Sequence, residues 1–360
     1  MSEGKALRGE TMFPCYSIEH KIARGGMGEV FRATAHTAHG ASMPVVIKRI
    51  LPQLALSHAV VEMFSAEARL MTQLEHPNVV RVLDFGRGES NDYFMVLELV
   101  DGVDLGRLRR AFEAGGERVP TSLGLYIVQE VLAALGFAHR AEPGRPGLVH
   151  RDVSPENVLL SESGAVKVAD FGVALVASGE PPGDEAPVVG KPGYMAPEQL
   201  IGGPIDARSD LFSVGVMLCE LLTGATPFAG ATSGERQARA YAGEIRNLRE
   251  LCPDLPVEIE LLIRRACAPD PAERFADAAS MAERVSLVRR RHPPLSGAGE
   301  LADAVRMARE RMGSLGPPAP CETAGATLVG TETEGPGDRV FTLRLDPSAR
   351  ATLAAADRRT

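Results

Sequence analysis

Three residues in the middle of the chain have the types and spacing to move a phosphoryl group. Residues 148–160 read LVHRDVSPENVLL, so Asp152 is followed five residues later by Asn157. Asp170 comes thirteen residues after Asn157, in the triplet Asp170-Phe171-Gly172. Phosphoryl transfer to a hydroxyl needs a carboxylate that orients the hydroxyl and takes its proton, which Asp152 can supply. It also needs hard oxygen ligands for Mg²⁺, and the amide oxygen of Asn157 and the carboxylate of Asp170 suit that demand. His, Arg and Asp adjoin in many surface loops, so His150-Arg151-Asp152 alone would carry little. The joint spacing to Asn157 and Asp170 makes the pattern specific.

Several elements must position these residues. Residues 16–32, YSIEHKIARGGMGEVFR, set β-formers around a glycine cluster and predict two strands joined by a tight turn. Pro44-Val45-Val46-Ile47-Lys48 is a short buried-strand pattern whose lysine either reaches solvent or meets phosphates. Residues 57–75 predict an amphipathic helix, with Val60, Phe64, Met71 and Leu74 on one side and Glu67 within it. Residues 210–222, DLFSVGVMLCELL, are apolar nearly all round and predict a buried helix. After Arg291, HPPLSG reads as a linker, and 300–312 predict a helix with Leu301, Val305, Ala308 and Met312 on one face. Residues 314–338, rich in Gly, Pro, Thr and Glu, predict disorder. Residues 340–345 alternate like a strand, which must dock elsewhere to be stable.

Composition bounds the rest. A length of 360 residues predicts two structural units, and 44% hydrophobic with 24% charged residues is ordinary for a globular core. A net charge of −8 without a basic stripe argues against nucleic acid as a partner. Five cysteines with no CxxC spacing read as reduced thiols, as in the cytoplasm. The N-terminus lacks the apolar stretch of a signal peptide, and the apolar run 211–219 is too short to span a membrane. The expectation is a cytoplasmic protein with no membrane anchor of its own.

From residue 16 to about 291 the chain resembles eukaryotic-like serine/threonine protein kinases of bacteria. GGMGEV, FSAEARLMTQLEHPNVV and YMAPEQL carry the resemblance, and GRPGLVHRDVSPENVLL is similar to myxobacterial kinases. The resemblance implies an α+β fold with two lobes, a small β-rich N-lobe (16–100) and a mostly helical C-lobe (101–292). A disordered N-terminus (1–15) and a tail (293–360), mostly disordered outside 300–312, would flank it. ATP and Mg²⁺ would be the cofactors and proteins the substrates, the γ-phosphoryl passing to Ser or Thr; the alternative is a pseudokinase that binds nucleotide and signals by conformation. Lys48 would pair with the ATP phosphates and with Glu67. Ile22, Gly25, Gly26 and Gly28 would cover the nucleotide, and Val30, Val46 and Leu159 would sandwich adenine. The backbone of Glu98 and Val100 would bond adenine beside Leu97, and Asp104 would reach the ribose. Asn157 and Asp170 would hold metal. Met71, Val82, His150 and Phe171 would form an apolar spine, Glu198 and Arg274 a buried ion pair, and Asp210 would bond the catalytic loop. The tail's partner is not legible.

The chain departs from the family pattern at four positions and along one loop. Ala23 stands at the first glycine of the glycine loop, and Val46 replaces an alanine above adenine. Ser154 occupies the place of a lysine that neutralises the transferring phosphate, while Lys191 stands where the family has threonine. We therefore expect one cation to have moved across the site, making Lys191 a catalytic residue. Residues 172–197 contain no Thr and only Ser178, whereas Glu185, with Asp184 beside it, stands where similar kinases are phosphorylated. A carboxylate there would pair with Arg151 and order the loop without phosphate.

Overall fold

The computed structural model describes residues 15–24, 28–36, 40–51, 53–87, 93–142, 147–171, 191, 193–313 and 342–344. The chain begins with β1 (Cys15–Arg24), β2 (Gly28–His36), β3 (Ser42–Ile50), α1 (His58–Met71), β4 (Val82–Arg87) and β5 (Tyr93–Glu98). Next come β6 (Gly102–Asp104), α2 (Leu105–Ala114), α3 (Thr121–His139), β7 (Val158–Ser161) and β8 (Val166–Val168). Helices α4 (Pro197–Leu200), α5 (Ala207–Thr223), α6 (Ser233–Ala242), α7 (Leu248–Leu251) and α8 (Val257–Ala266) follow. The last elements are α9 (Ala278–Arg291), α10 (Ala298–Gly313) and β9 (Thr342–Arg344).

These elements form two compact units. The first holds the described residues of Met1–Phe64, Val82–Leu99 and Pro320–Thr360; the second holds those of Ser65–Arg81 and Val100–Ala319. The division is not contiguous along the chain, because residues 65–81 fall in the second unit. Residues 65–81 join the second unit because Val79 pairs with Val168 and Asn78 Nδ2 bonds Val166 O and Glu130 Oε2, each at 2.9 Å. Strand β1 begins at Cys15, and the rest of the N-terminal stretch expected to be disordered, residues 1–14, lies outside the described residues.

The first unit is an antiparallel sheet in the order β4-β5-β3-β2-β1-β9. In β2, buried and half-buried residues alternate, as the two-residue period of a strand with one core face requires. That face packs Tyr16, Ala33, Ala35, Val45, Ile47, Phe94 and Val96. Tyr16 sets its ring edge on Phe94 and donates its hydroxyl to Asp84 Oδ2 at 2.6 Å. The opposite face is fixed by register. Val30 is opposite Lys48, and Val46 is opposite Leu97, so these four share the face turned from the core. Gly28 is demanded by close packing, because a Cβ there would lie 2.5 Å from Arg49 O on β3. The strand expected over 340–345 includes β9, which pairs antiparallel with residues 15–17.

The second unit surrounds α5. Its burial extends nearly all round, and Gly215 allows α8 to approach until a Cβ would meet Ala266 Cβ at 2.6 Å. Asp206 caps its first turn and Gly224, at φ 77°, ends it in the left-handed region. Helix α3 has the length and hydropathy of a membrane span. Here it is a core helix, packed against α5 and α9 with Ile127, Val128, Val131 and Leu135 buried. A small sheet, β6-β7-β8, borders the helices.

Arg274 sits inside this unit with its side chain fully buried. Its Nη1 and Nη2 meet the two Glu198 oxygens at 2.7 and 2.8 Å, and its other donors reach the carbonyls of Ala268, Arg208 and Pro269. Burial opposes charge on Glu198, but hydrogen bonds from Arg274 and Ser209 outweigh it and hold its pKa below 4.5. Glu198→Ala would leave the guanidinium buried without a counter-charge and is expected to cost about 3–5 kcal/mol, read as a lower urea midpoint. A loss below about 1 kcal/mol would contradict this account. Because the folded pKa is depressed, the pair's contribution is complete above 4.5 and disappears as pH falls through the lower folded value.

Candidate active site

Residues 148–157 lead into β7 and are tied down at both ends. Leu148 N bonds Ala138 O at 2.8 Å, and Asn157 O accepts Ala169 N at 2.8 Å. Between them, the fully buried carboxylate of Asp210 accepts His150 N and Arg151 N, both at 2.8 Å. His139 Nε2 lies 2.7 Å from the same carboxylate. Burial works against the Asp210 charge, yet the His139 contact and these donors hold its pKa below the ordinary value. Arg151 takes φ 66°, which is uncommon for a residue with a Cβ. Its carbonyl is held from the far side by Gln199 Nε2 at 2.8 Å. Burial lowers the Arg151 pKa, and Arg151 Nε has no hydrogen-bond partner among the described residues.

This loop presents Asp152 and Asn157 as a bonded pair. Asn157 Nδ2 donates to Asp152 O at 2.7 Å and to Asp152 Oδ2 at 3.0 Å. With both amide hydrogens committed, Asn157 Oδ1 is the atom left to ligate a cation. Asp152 Oδ1 accepts Lys191 N at 2.8 Å. Burial raises the Asp152 pKa, and the charge of Asp170 adds to the rise. Asp170 itself takes φ 53° and is exposed. The next residue, Phe171, is completely buried, its ring centroid 4.4 Å from that of His150. His150 Nε2 lies 3.0 Å from Ala169 O, which only accepts, so Nε2 carries the proton. Nδ1 is then the acceptor for Asp152 N at 3.3 Å. The residue types thus fit a hard divalent ion, with one amide oxygen and one carboxylate as donors. Among the described residues no cluster of three His, Cys, Asp or Glu forms a metal cage.

Lys191 approaches Asp152 through its backbone amide, and its ammonium goes elsewhere. Nζ pairs with Glu156 and lies 5.6 Å from the centre of the Tyr194 ring. Tyr194 is kept un-ionised, its pKa pushed up by burial and by the Glu220 carboxylate to which it donates its hydroxyl.

The second unit brings together Asp152, Asn157 and Lys191, with Asp170 two residues after β8, and it also holds Glu67, Val100, Asp104 and Leu159. Asp104 is paired in register with Leu159, and its carboxylate caps α2 by accepting Arg107 N at 2.8 Å. Its pKa is raised by burial. The first unit holds Ile22, Gly28, Val30, Val46, Lys48 and Glu98. Gly25, Gly26 and the loop 172–190, with Ser178, Asp184 and Glu185, lie outside the described residues. Sequence reasoning missed three supporting residues: Glu156 as the partner of Lys191, His139 on Asp210, and Gln199 behind Arg151. Gln199 lies within YMAPEQL and Glu156 within LVHRDVSPENVLL, so both motifs contained a signal, whereas His139 had none.

Comparison with known proteins agrees with this arrangement. A family model described as "Protein kinase domain" matches residues 16–285. The chain is 38% identical over 289 residues to the tyrosine-protein kinase MasK of Myxococcus xanthus, covering 79% of this chain and 44% of that protein. It is 36% identical to the serine/threonine-protein kinase pkn3 of Myxococcus xanthus, covering 75% of this chain and 49% of the relative. The serine/threonine-protein kinase PknL of Mycobacterium tuberculosis is 34% identical, with 74% of this chain and 63% of the relative covered. The chain therefore spans about half to three fifths of the length of these relatives. Among solved structures, the Mycobacterium tuberculosis PknI kinase domain superposes with a TM-score of 0.57 at 26% identity, over 78% of this chain and 99% of that one.

Removal of the Asp210 carboxylate tests the architecture of the site. Asp210→Ala would leave two buried N–H donors without acceptors, at about 1–3 kcal/mol each. We expect a lower melting temperature and faster amide exchange at 150–152. Unchanged exchange at these amides would contradict the anchoring role.

Proposed function

Because the chain belongs to the protein kinase family, we propose that it transfers the γ-phosphoryl group of ATP to Ser or Thr hydroxyls of protein substrates. The observation that carries the proposal is the bonded set of Asp152, Asn157 and the Lys191 backbone. In this reading Asp152 accepts a hydrogen bond from the substrate hydroxyl and receives its proton as the new O–P bond forms. The bond from the γ-phosphorus to the bridging oxygen breaks, and ADP leaves with the electron pair. Mg²⁺, when bound, would neutralise phosphate charge, and Asn157 Oδ1 with the Asp170 carboxylate would hold it. Lys48 would orient the phosphates, and Gly28, Val30 and Val46 would face the nucleotide from the sheet surface turned away from the core. Backbone groups of Glu98 and Val100 would bond adenine. No observation favours the catalytically silent scaffold over this reading. Ser and Thr are preferred over Tyr because pkn3 and PknL carry that designation, although MasK is named for tyrosine. A cytoplasmic setting is part of the proposal, supported by the free thiols of Cys219, Cys252 and Cys267.

The experiment is to incubate the protein with γ-labelled ATP, Mg²⁺ and a generic acceptor protein, then hydrolyse the acceptor and identify the labelled residue. Label on Ser or Thr is expected. Label on Tyr alone would contradict the choice of hydroxyl, and no label would contradict the transfer.

Lys191 supplies a second prediction. Its ion pair with Glu156 is at the surface, where such pairs hold for about 0–1 kcal/mol, so the ammonium is available to an incoming phosphate. Lys191→Thr is expected to lower the transfer rate by about 10²-fold, the scale of one lost donor at the transition state. Adding Ser154→Lys should restore much of it. Wild-type rates in Lys191→Thr would show that the cation plays no part.

A further inference from the structure

Helix α10 lies beyond residue 285, where the kinase-domain match ends, yet it is built into the second unit. Leu301, Val305 and Ala308 are completely buried, and the helix packs on α2, β6 and β7. Its start is fixed sterically. Gly164, in the turn between β7 and β8, sits so close that a Cβ there would lie 2.0 Å from Ala298 O. Gly297 N is capped by Glu300 Oε2 at 2.9 Å.

The far end of α10 carries two arginines that grip one short stretch at both ends. Arg309 Nη1 bonds Asp101 Oδ1 at 2.9 Å and also pairs with Glu162. Arg311 Nη1 donates to Ala111 O, in the last turn of α2, at 3.0 Å. Between these grips the chain has no slack. A Cβ on Gly102 would lie 1.8 Å from Leu160 O, and Asp104 caps α2. Asp101 O is also held by Glu162 N at 2.8 Å, so the ion pair and the backbone bond fix the same two residues.

We infer that α10 is a positioning clamp that holds residues 100–104 and the start of α2, and thereby sets the affinity of the second unit for the adenosine part of ATP. The inference rests on the kinase reading above, because Val100 and Asp104 are nucleotide contacts only in that reading. The buried apolar face supplies most of the hold, and the exposed arginine pairs fix register. A merely structural helix would stabilise the unit without changing how nucleotide binds.

The test uses the full chain. Leu301→Ala with Val305→Ala loosens the packed face, and Arg309→Glu reverses the charge that faces Asp101 and Glu162 while leaving the core intact. The measurements are amide exchange over 101–112, the ATP dissociation constant, and KM for ATP against kcat. We expect faster exchange, ATP binding weakened by about 5-fold or more in the packing variant and by a smaller factor in Arg309→Glu, and kcat within about 2-fold of wild type. Arg309→Lys should bind ATP nearly as wild type does. Faster exchange with unchanged ATP affinity in both variants would overturn the inference and leave the kinase reading standing, as would a fall in kcat with KM unchanged. A wild-type chain that binds no ATP would overturn the kinase reading itself, and this inference with it.

Discussion

The buried carboxylate of Asp210 is the point on which the site depends. A charge in a protein interior is tolerated only when donors surround it, and here the donors are the backbone amides of His150 and Arg151. The need of the carboxylate for partners and the need of the loop for acceptors are met by the same two bonds. They also hold Arg151 at φ 66°, a conformation that a free loop would leave.

Asp210 belongs to α5, and the first turns of α5 serve more than this loop. Ser209 Oγ donates to Glu198 Oε1 at 2.6 Å, joining the buried Arg274 pair. Ser213 Oγ donates to Tyr194 O at 2.8 Å, Tyr194 N bonds Lys191 O, and Lys191 N bonds Asp152 Oδ1. Asp152 is thus held from two directions by one helix, through Asp210 on the catalytic loop and through Ser213 on the segment after residue 190. A buried helix whose Asp210 and Ser213 bond two separate segments is a physical means of preorganising a carboxylate between them.

The sequence made much of this legible because the residues that carry chemistry are close in the chain. Asp152, Asn157 and Asp170 could be read from spacing, and the buried character of α5 from its lack of a polar face. The amphipathic helix expected over 57–75 is α1, His58–Met71, shortened because Thr72 and Gln73 turn out of it. Direction was not legible. Nothing in the spacing says that the Lys191 amide, rather than its ammonium, meets Asp152, or that Glu156 takes the ammonium, since both follow from how two distant loops come together. Likewise Val79 pairing with Val168 assigns 65–81 to the second unit, a long-range contact that local pattern does not contain. The small residues at Gly102, Gly164 and Gly215 mark close approaches whose partners only the fold reveals.

The central claim is that the anchored Asp152 takes the proton of an acceptor hydroxyl during transfer from ATP. The most direct measurement compares transfer from γ-labelled ATP to a protein acceptor by the wild type and by Asp152→Asn, alongside ATP affinity for each. Asn keeps the shape and an oxygen for the Lys191 amide; it removes the charge and the acceptor of the Asn157 Nδ2 bond, while Asn157 keeps its bond to the backbone carbonyl of residue 152. The account predicts a rate lower by at least about 10²-fold in the variant, with ATP affinity little changed. Transfer by Asp152→Asn within a few-fold of wild type would contradict it.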